Sequence, residues 1–172
     1  MKNTDCHNRV IVADDKKFNI ITIKYFFEKE FHLTGNQVAY LKEGQSVITT
    51  YKDGLREWAS GAAKKPYTLL LLDYLMPYKN GLEVVQEVKI IFDQFCFEQS
   101  DQFSKEELQS VKPYFVFQAT INEDKEFVAL ASEKGVNEFV HKPILKENLQ
   151  NLLIERDLIK QMNILHSPGL RS

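Results

Sequence analysis

Cysteine is nearly absent: Cys6 and Cys96 are the only two in 172 residues, and no C-x-x-C pair occurs. That excludes a disulfide framework and a thiolate zinc site, and it fits a reducing compartment. An excess of either charge is also missing, with 22 Lys and Arg against 24 Asp and Glu, scattered along the chain. A net charge of -2 gives no footprint for binding a polyanion, so nucleic acid is not the expected partner. No apolar run reaches the length of a membrane span, and the opening "MKNTDCHNRV" lacks the apolar core of a signal peptide. A cytoplasmic protein, or a cytoplasmic piece of a larger one, is the expectation. The four histidines, His7, His32, His141 and His166, have no metal-ligand spacing, and none reads as a phosphohistidine.

What the chain does have is apolar runs that end on polar residues. With 44% hydrophobic residues it can form one full core but not two large domains. The stretch "LLLLDYLMP" places Asp73 directly after four leucines. A strand buried on both faces reads as such a run and belongs to a parallel sheet covered by helices. "RVIVA" (residues 9 to 13) predicts the first strand, "SVITTY" the second with "QVAYL" competing for the place, "TLLLLD" the third, "YFVFQAT" the fourth and "EFVH" the fifth.

Helical spacing lies between the strands. Phe18, Ile21, Tyr25 and Phe26 mark one helix, and Leu55, Trp58 and Ala62 a second after an Asp53-Gly54 turn. Leu82, Val85, Val88 and Phe92 mark a third, and Phe127, Leu130 and Ala131 a fourth closed by Gly135 as a left-handed cap. The last helix is expected from about Lys146 to Met162. Strands and helices in alternation predict a single α/β domain, a doubly wound five-stranded parallel sheet flanked by five helices with right-handed crossovers. Residues 1–8 read as an extension, 9–162 as the domain and 163–172 as a frayed tail. Residues 32–45 and 93–112 read as insertions, the second with a capping box of Ser104 and Glu107 that predicts a small helix.

On this scaffold Asp14 and Asp15 end the first strand, Asp73 the third and Thr120 the fourth, while the fifth runs into Lys142. All converge on the carboxyl edge of the sheet, where open α/β folds bind ligands. Three carboxylates in one crevice repel one another unless a cation joins them, and a hard, oxygen-seeking ion such as Mg2+ meets that need. Lys142 adds a compact positive charge and Thr120 a hydroxyl, so the set can hold a phosphoryl group on a carboxylate.

These motifs, "VADD", "LLLLDYLMPYKNG", Thr120 and "GVNEFVHKP", resemble those of response-regulator receiver domains of two-component signalling. The resemblance implies strand order 2-1-3-4-5 and phosphorylation of Asp73. It also implies Mg2+ held by Asp14, Asp15, Asp73 and the backbone carbonyl of Leu75. Thr120 becomes the switch hydroxyl, Phe139 the aromatic that moves with it, and Lys142 the phosphate contact. Asn19, four residues after Asp15, is similar to the pattern in receivers of hybrid histidine kinases and phosphorelays. Ile121 departs from the small residue usual there and narrows the entrance for phosphate.

A histidine kinase or histidine-containing phosphotransfer protein is the implied partner, with phosphorylation-dependent dimerisation open to it. The domain is then no dedicated turnover enzyme, although it catalyses its own phosphorylation and dephosphorylation. A dehalogenase-type phosphatase needs a second Asp two residues after the nucleophile, and position 75 is Leu. The other rival is a pseudo-receiver that serves only as an interaction scaffold.

Overall fold

The computed structural model describes residues 8–62, 64–119 and 124–160. Five parallel strands, β1 (Arg9–Ala13), β2 (Val38–Leu41), β3 (Tyr67–Asp73), β4 (Tyr114–Ala119) and β5 (Glu138–His141), form one sheet in the order β2-β1-β3-β4-β5. The helices are α1 (Lys17–Tyr25), α2 (Gly44–Ala59), α3 (Gly81–Glu98), α4 (Lys105–Ser110), α5 (Lys125–Lys134) and α6 (Lys146–Glu155). A π-helical turn, Phe26–Glu30, continues α1.

The leucine run explains itself once both faces are covered. Leu69 and Leu71 enter a core layer with Val10, Val12, Ile20, Ile23, Leu149 and Leu152, against α1 and α6. Leu70 and Leu72 enter the opposite layer with Ile11, Val47, Ile48, Val84, Val88 and Phe117, against α2 and α3. Neither face of β3 meets solvent, so no polar alternation is required until the strand ends at Asp73.

Three expectations are corrected. The second strand is not "SVITTY" but Val38–Leu41, which pairs with β1 from Val10↔Val38 to Ala13↔Leu41. Residues 46 to 51 lie inside α2, and Asp53-Gly54 is helix, not turn. Val47, Ile48, Tyr51 and Leu55 share one buried face at helical spacing, so the period prevailed over the strand preference of β-branched residues. Residues 32–45 are therefore no plain insertion, because they hold β2 and the start of α2.

Among the described residues the five flanking helices are joined by α4, the small helix expected in the second insertion, which begins at Ser104 with the expected capping box. The Glu107 backbone N–H donates to Ser104 Oγ at 3.1 Å, and Ser104 N–H donates to Glu107 Oε2 at 2.8 Å. Asp93 to Glu98 complete α3 and so do not belong to the added segment. Trp58 of α2 stacks on Phe103 at 4.1 Å and tilts against Phe95, while Leu108 and Val111 are buried. The segment is thus part of the packed structure. The expected end of the last helix at Met162, and both chain termini, lie outside the described residues.

Candidate functional site: an acidic crevice at the carboxyl edge

Strand order reverses between β1 and β3, whose following helices lie on opposite faces of the sheet, and this opens a crevice at their carboxyl ends. Asp14 sits at its base, 0% exposed. Its Oδ1 accepts the Lys16 backbone N–H at 2.8 Å, and its Oδ2 accepts from Asn19 Nδ2 at 2.8 Å and Lys142 Nζ at 3.0 Å. A buried carboxylate persists only with such partners. The same Lys142 ammonium donates to Asp73 Oδ1 at 2.9 Å and ties the ends of β1, β3 and β5 together. Lys142 is placed by its backbone N–H, which donates to the Ala119 carbonyl at 2.7 Å, and its bond to Pro143 is cis.

Asp15 is exposed at the mouth, and one carboxylate oxygen from each of Asp14, Asp15 and Asp73 lies within 4.8 Å of the others. Three carboxylates against one ammonium leave two negative charges, which is the charge of one divalent cation. The donors are hard carboxylate oxygens, the Asp14 group fixed by three hydrogen bonds and the Asp15 group open to solvent, so the set fits Mg2+ or Ca2+ rather than a thiophilic metal. Burial pushes the Asp73 carboxyl above its ordinary value, and the Asp14 charge adds to this, while the hydrogen bond and charge of Lys142 oppose it. Burial alone would lower the Lys142 ammonium, but its hydrogen bonds to Asp73 and Asp14 outweigh that and raise it.

The loop after β3 is held against α3. Gly81 N–H donates to the Tyr74 carbonyl at 2.8 Å, and Asn80 caps α3 in a capping box with Glu83. A Cβ at Gly81 would lie 2.7 Å from the Asp73 carbonyl oxygen and 3.0 Å from the Phe117 ring. Gly81→Ala is therefore expected to cost about 1–3 kcal/mol through displaced backbone, read by denaturant unfolding, and to weaken any ligand held by Asp73.

Leu75 lies exposed in that loop, two residues past Asp73. Phe139 is half-buried and meets Phe117 edge-on at 6.1 Å, beside the core layer of α2 and α3. Thr120 and Ile121 fall outside the described residues, so the structure brings together Asp14, Asp15, Asp73 and Lys142 of the expected set. One residue that the sequence reading passed over is Gln118, buried on β4 with neither amide atom partnered among the described residues. A lone polar residue in "YFVFQA" was the signal. A second is the apolar surface of α1: Phe18 is 78% exposed, and Ile21 and Tyr25 are exposed with it. Three of the four residues of the helical stripe that predicted α1 thus face outward, while Phe26 packs against the core whose contact is made by Ile20, Ile23 and Phe27.

No protein-family model matches the chain, and no curated protein matches it in sequence. Solved structures do. The receiver domain of the histidine kinase CKI1 from Arabidopsis thaliana, complexed with Mg2+, aligns with TM-score 0.63 at 18% identity, over 86% of this chain and 90% of that one. The structure of the Saccharomyces cerevisiae receiver domain of Ssk1 with the histidine phosphotransfer protein Ypd1 aligns with TM-score 0.62 at 18% identity, over 93% and 95%. A CheX-CheY complex from Borrelia burgdorferi aligns with TM-score 0.61 at 15% identity, over 90% and 92%. The fold is the CheY-like fold of receiver domains, with the sheet order that the resemblance implied.

Proposed function

We propose that this chain is a phosphoacceptor receiver domain, in which Asp73 takes a phosphoryl group from a phosphohistidine on a histidine kinase or phosphotransfer protein. The observation that carries this is the convergence of Lys142 on Asp73 and the fully buried Asp14, with Asp15 at the mouth. An Asp73 carboxylate oxygen attacks phosphorus in line. The O–P bond forms as the P–N bond to the partner's imidazole breaks, and the imidazole nitrogen keeps the electron pair. Lys142 meets negative charge on the transferred oxygens. Asp14, Asp15 and Asp73, with the Leu75 carbonyl, would hold a divalent cation such as Mg2+, which when bound supplies further charge neutralisation there.

Thr120 reads the new phosphoryl oxygens by its hydroxyl, and Phe139 shifts with it to change the surface around β5. The exposed Phe18, Ile21 and Tyr25, with Leu145 beyond Lys142, offer an apolar landing surface beside the crevice for the phosphodonor protein. The complex of Ssk1 with a phosphotransfer protein supports that class of partner. A pure scaffold gives no account of two unbalanced charges at the one edge where an α/β sheet binds ligands.

The metal half of the reading is tested by titration. Mg2+ should raise the unfolding free energy by mass action, by about 2.7 kcal/mol at a hundredfold excess over Kd. Asp15→Asn should weaken the effect, and the double variant Asp14→Asn, Asp15→Asn should remove it. Equal stabilisation of wild type and double variant contradicts the site. The phosphoacceptor half is tested by incubating wild type with Mg2+ and acetyl phosphate and following intact mass. Gain of one phosphoryl group is the expected result, and none with any donor contradicts it.

A further inference from the structure

Helix α1 is apolar on both faces. Ile20 and Ile23 enter the core, while Phe18, Tyr25 and Ile21, at 78%, 56% and 52% exposure, form a stripe on the outside. Thr22, half-buried on the same outer face, turns its hydroxyl back to the Phe18 carbonyl at 3.0 Å and so adds little polarity to the stripe. A helix that is apolar all round belongs between two packing layers, and the domain supplies one of them. The outer stripe is a contact surface for the other.

The order of its residues selects what covers it. From its amino end the stripe reads aromatic, aliphatic, aromatic, and it reads the same reversed. A two-fold axis at its middle therefore brings Phe18 of one copy toward Tyr25 of the other and Ile21 toward its own counterpart, as an isologous contact requires. The two ends also differ in shape. Phe18 borders a small recess with Thr22, Ile23, Pro143 and Ile144, and Tyr25 stands exposed at the other end. Antiparallel pairing carries each exposed ring toward the recess of the other copy.

Charge gives the same answer. Lys17, Lys24 and Glu28 follow one another at helical spacing along one flank of the stripe, with Lys24 and Glu28 at 3.7 Å. An antiparallel copy brings Lys17, ahead of the stripe, toward Glu28, behind it, and does so twice across the axis. A parallel copy would set lysine beside lysine. We propose that α1 pairs antiparallel with α1 of a second copy of this chain. The pair covers the surface given above to the phosphodonor protein, so the two compete for it; that consequence rests on the phosphoacceptor reading, and the pairing itself does not.

Sedimentation velocity of the full chain, without phosphodonor, tests it between about 1 μM and 1 mM, the range of weak association. The sedimentation coefficient should rise with concentration from that of a monomer to that of a dimer. Ile21→Asp, which places two carboxylates at the axis, should abolish the rise, while an unchanged unfolding transition shows that the fold is kept. Lys17→Glu should weaken pairing about tenfold, because each lost attraction counts twice, and Glu28→Lys should do the same. The double exchange Lys17→Glu, Glu28→Lys should restore it. A monomer at every concentration, a dimer untouched by Ile21→Asp, or single exchanges that the double one does not repair overturns the proposal. Acetyl phosphate labelling is read separately, so failure of the pairing and failure of the phosphoacceptor reading are told apart.

Discussion

Asp73→Asn should abolish phosphorylation while leaving the fold in place. The amide oxygen can still accept from Lys142, as Asp73 Oδ1 does at 2.9 Å, so the tie between β3 and β5 persists. An amide oxygen does not form the acyl phosphate, so the acid-stable, hydroxylamine-labile label expected of wild type should be lost completely. Asp73 is the residue to test because it follows a strand buried on both faces and shares Lys142 with Asp14. Asp14, buried and bound by three donors, is poorly placed to attack. A label of undiminished yield in Asp73→Asn would move the acceptor elsewhere.

Lys142→Ala should be the more damaging change for stability. It leaves the Asp14 and Asp73 carboxylates close together in the interior without their shared cation, and losing one partner of a buried ionic group costs about 3–5 kcal/mol. Added Mg2+ should restore a large part of that loss, because the ion brings positive charge to the same two carboxylates. The cation-induced stabilisation should therefore be greater in Lys142→Ala than in wild type, although phosphorylation stays poor. The pH dependence has a definite sign. The ammonium's pKa is raised above the ordinary lysine value of 10.5, so its contribution is fully present below that value and lost as pH climbs through the raised one. The gap between wild type and Lys142→Ala should hold across the neutral range and close only at strongly alkaline pH. Urea unfolding at several pH values, with and without Mg2+, reads both effects.

The sheet was largely legible where burial alone dictated the residues. Arg9–Ala13 and Glu138–His141 stand where the sequence placed them, and the leucine run gives β3 its position and its terminal Asp73. The site was legible because four polar residues each end or follow a strand, and parallel strands bring such ends to one edge. Failure came where two patterns competed. In α2 the run "SVITTY" carries the β-branched content of a strand, and only its packing against β1 and β3 reveals the helical face. In α1 the large apolar residues pointed to a core stripe, but Ile20, Ile23 and Phe27 fill that place and leave Phe18, Ile21 and Tyr25 outside. A surface with a partner reads in sequence like a surface with a core. The bulge at Thr68, where Arg9 pairs with Tyr67 but Val10 with Leu69, was invisible for a different reason: it is a property of the pairing between two strands, and neither strand carries it alone.

The most direct test of the account is the position of the covalent adduct. Wild-type protein phosphorylated in Mg2+ is reduced with borohydride, which converts an aspartyl phosphate to homoserine, and the modified residue is found by peptide sequencing in a mass spectrometer. Homoserine at position 73, absent when the donor is withheld, is the expected result. Homoserine at position 14 or 15, or at no aspartate of a labelled protein, would contradict it.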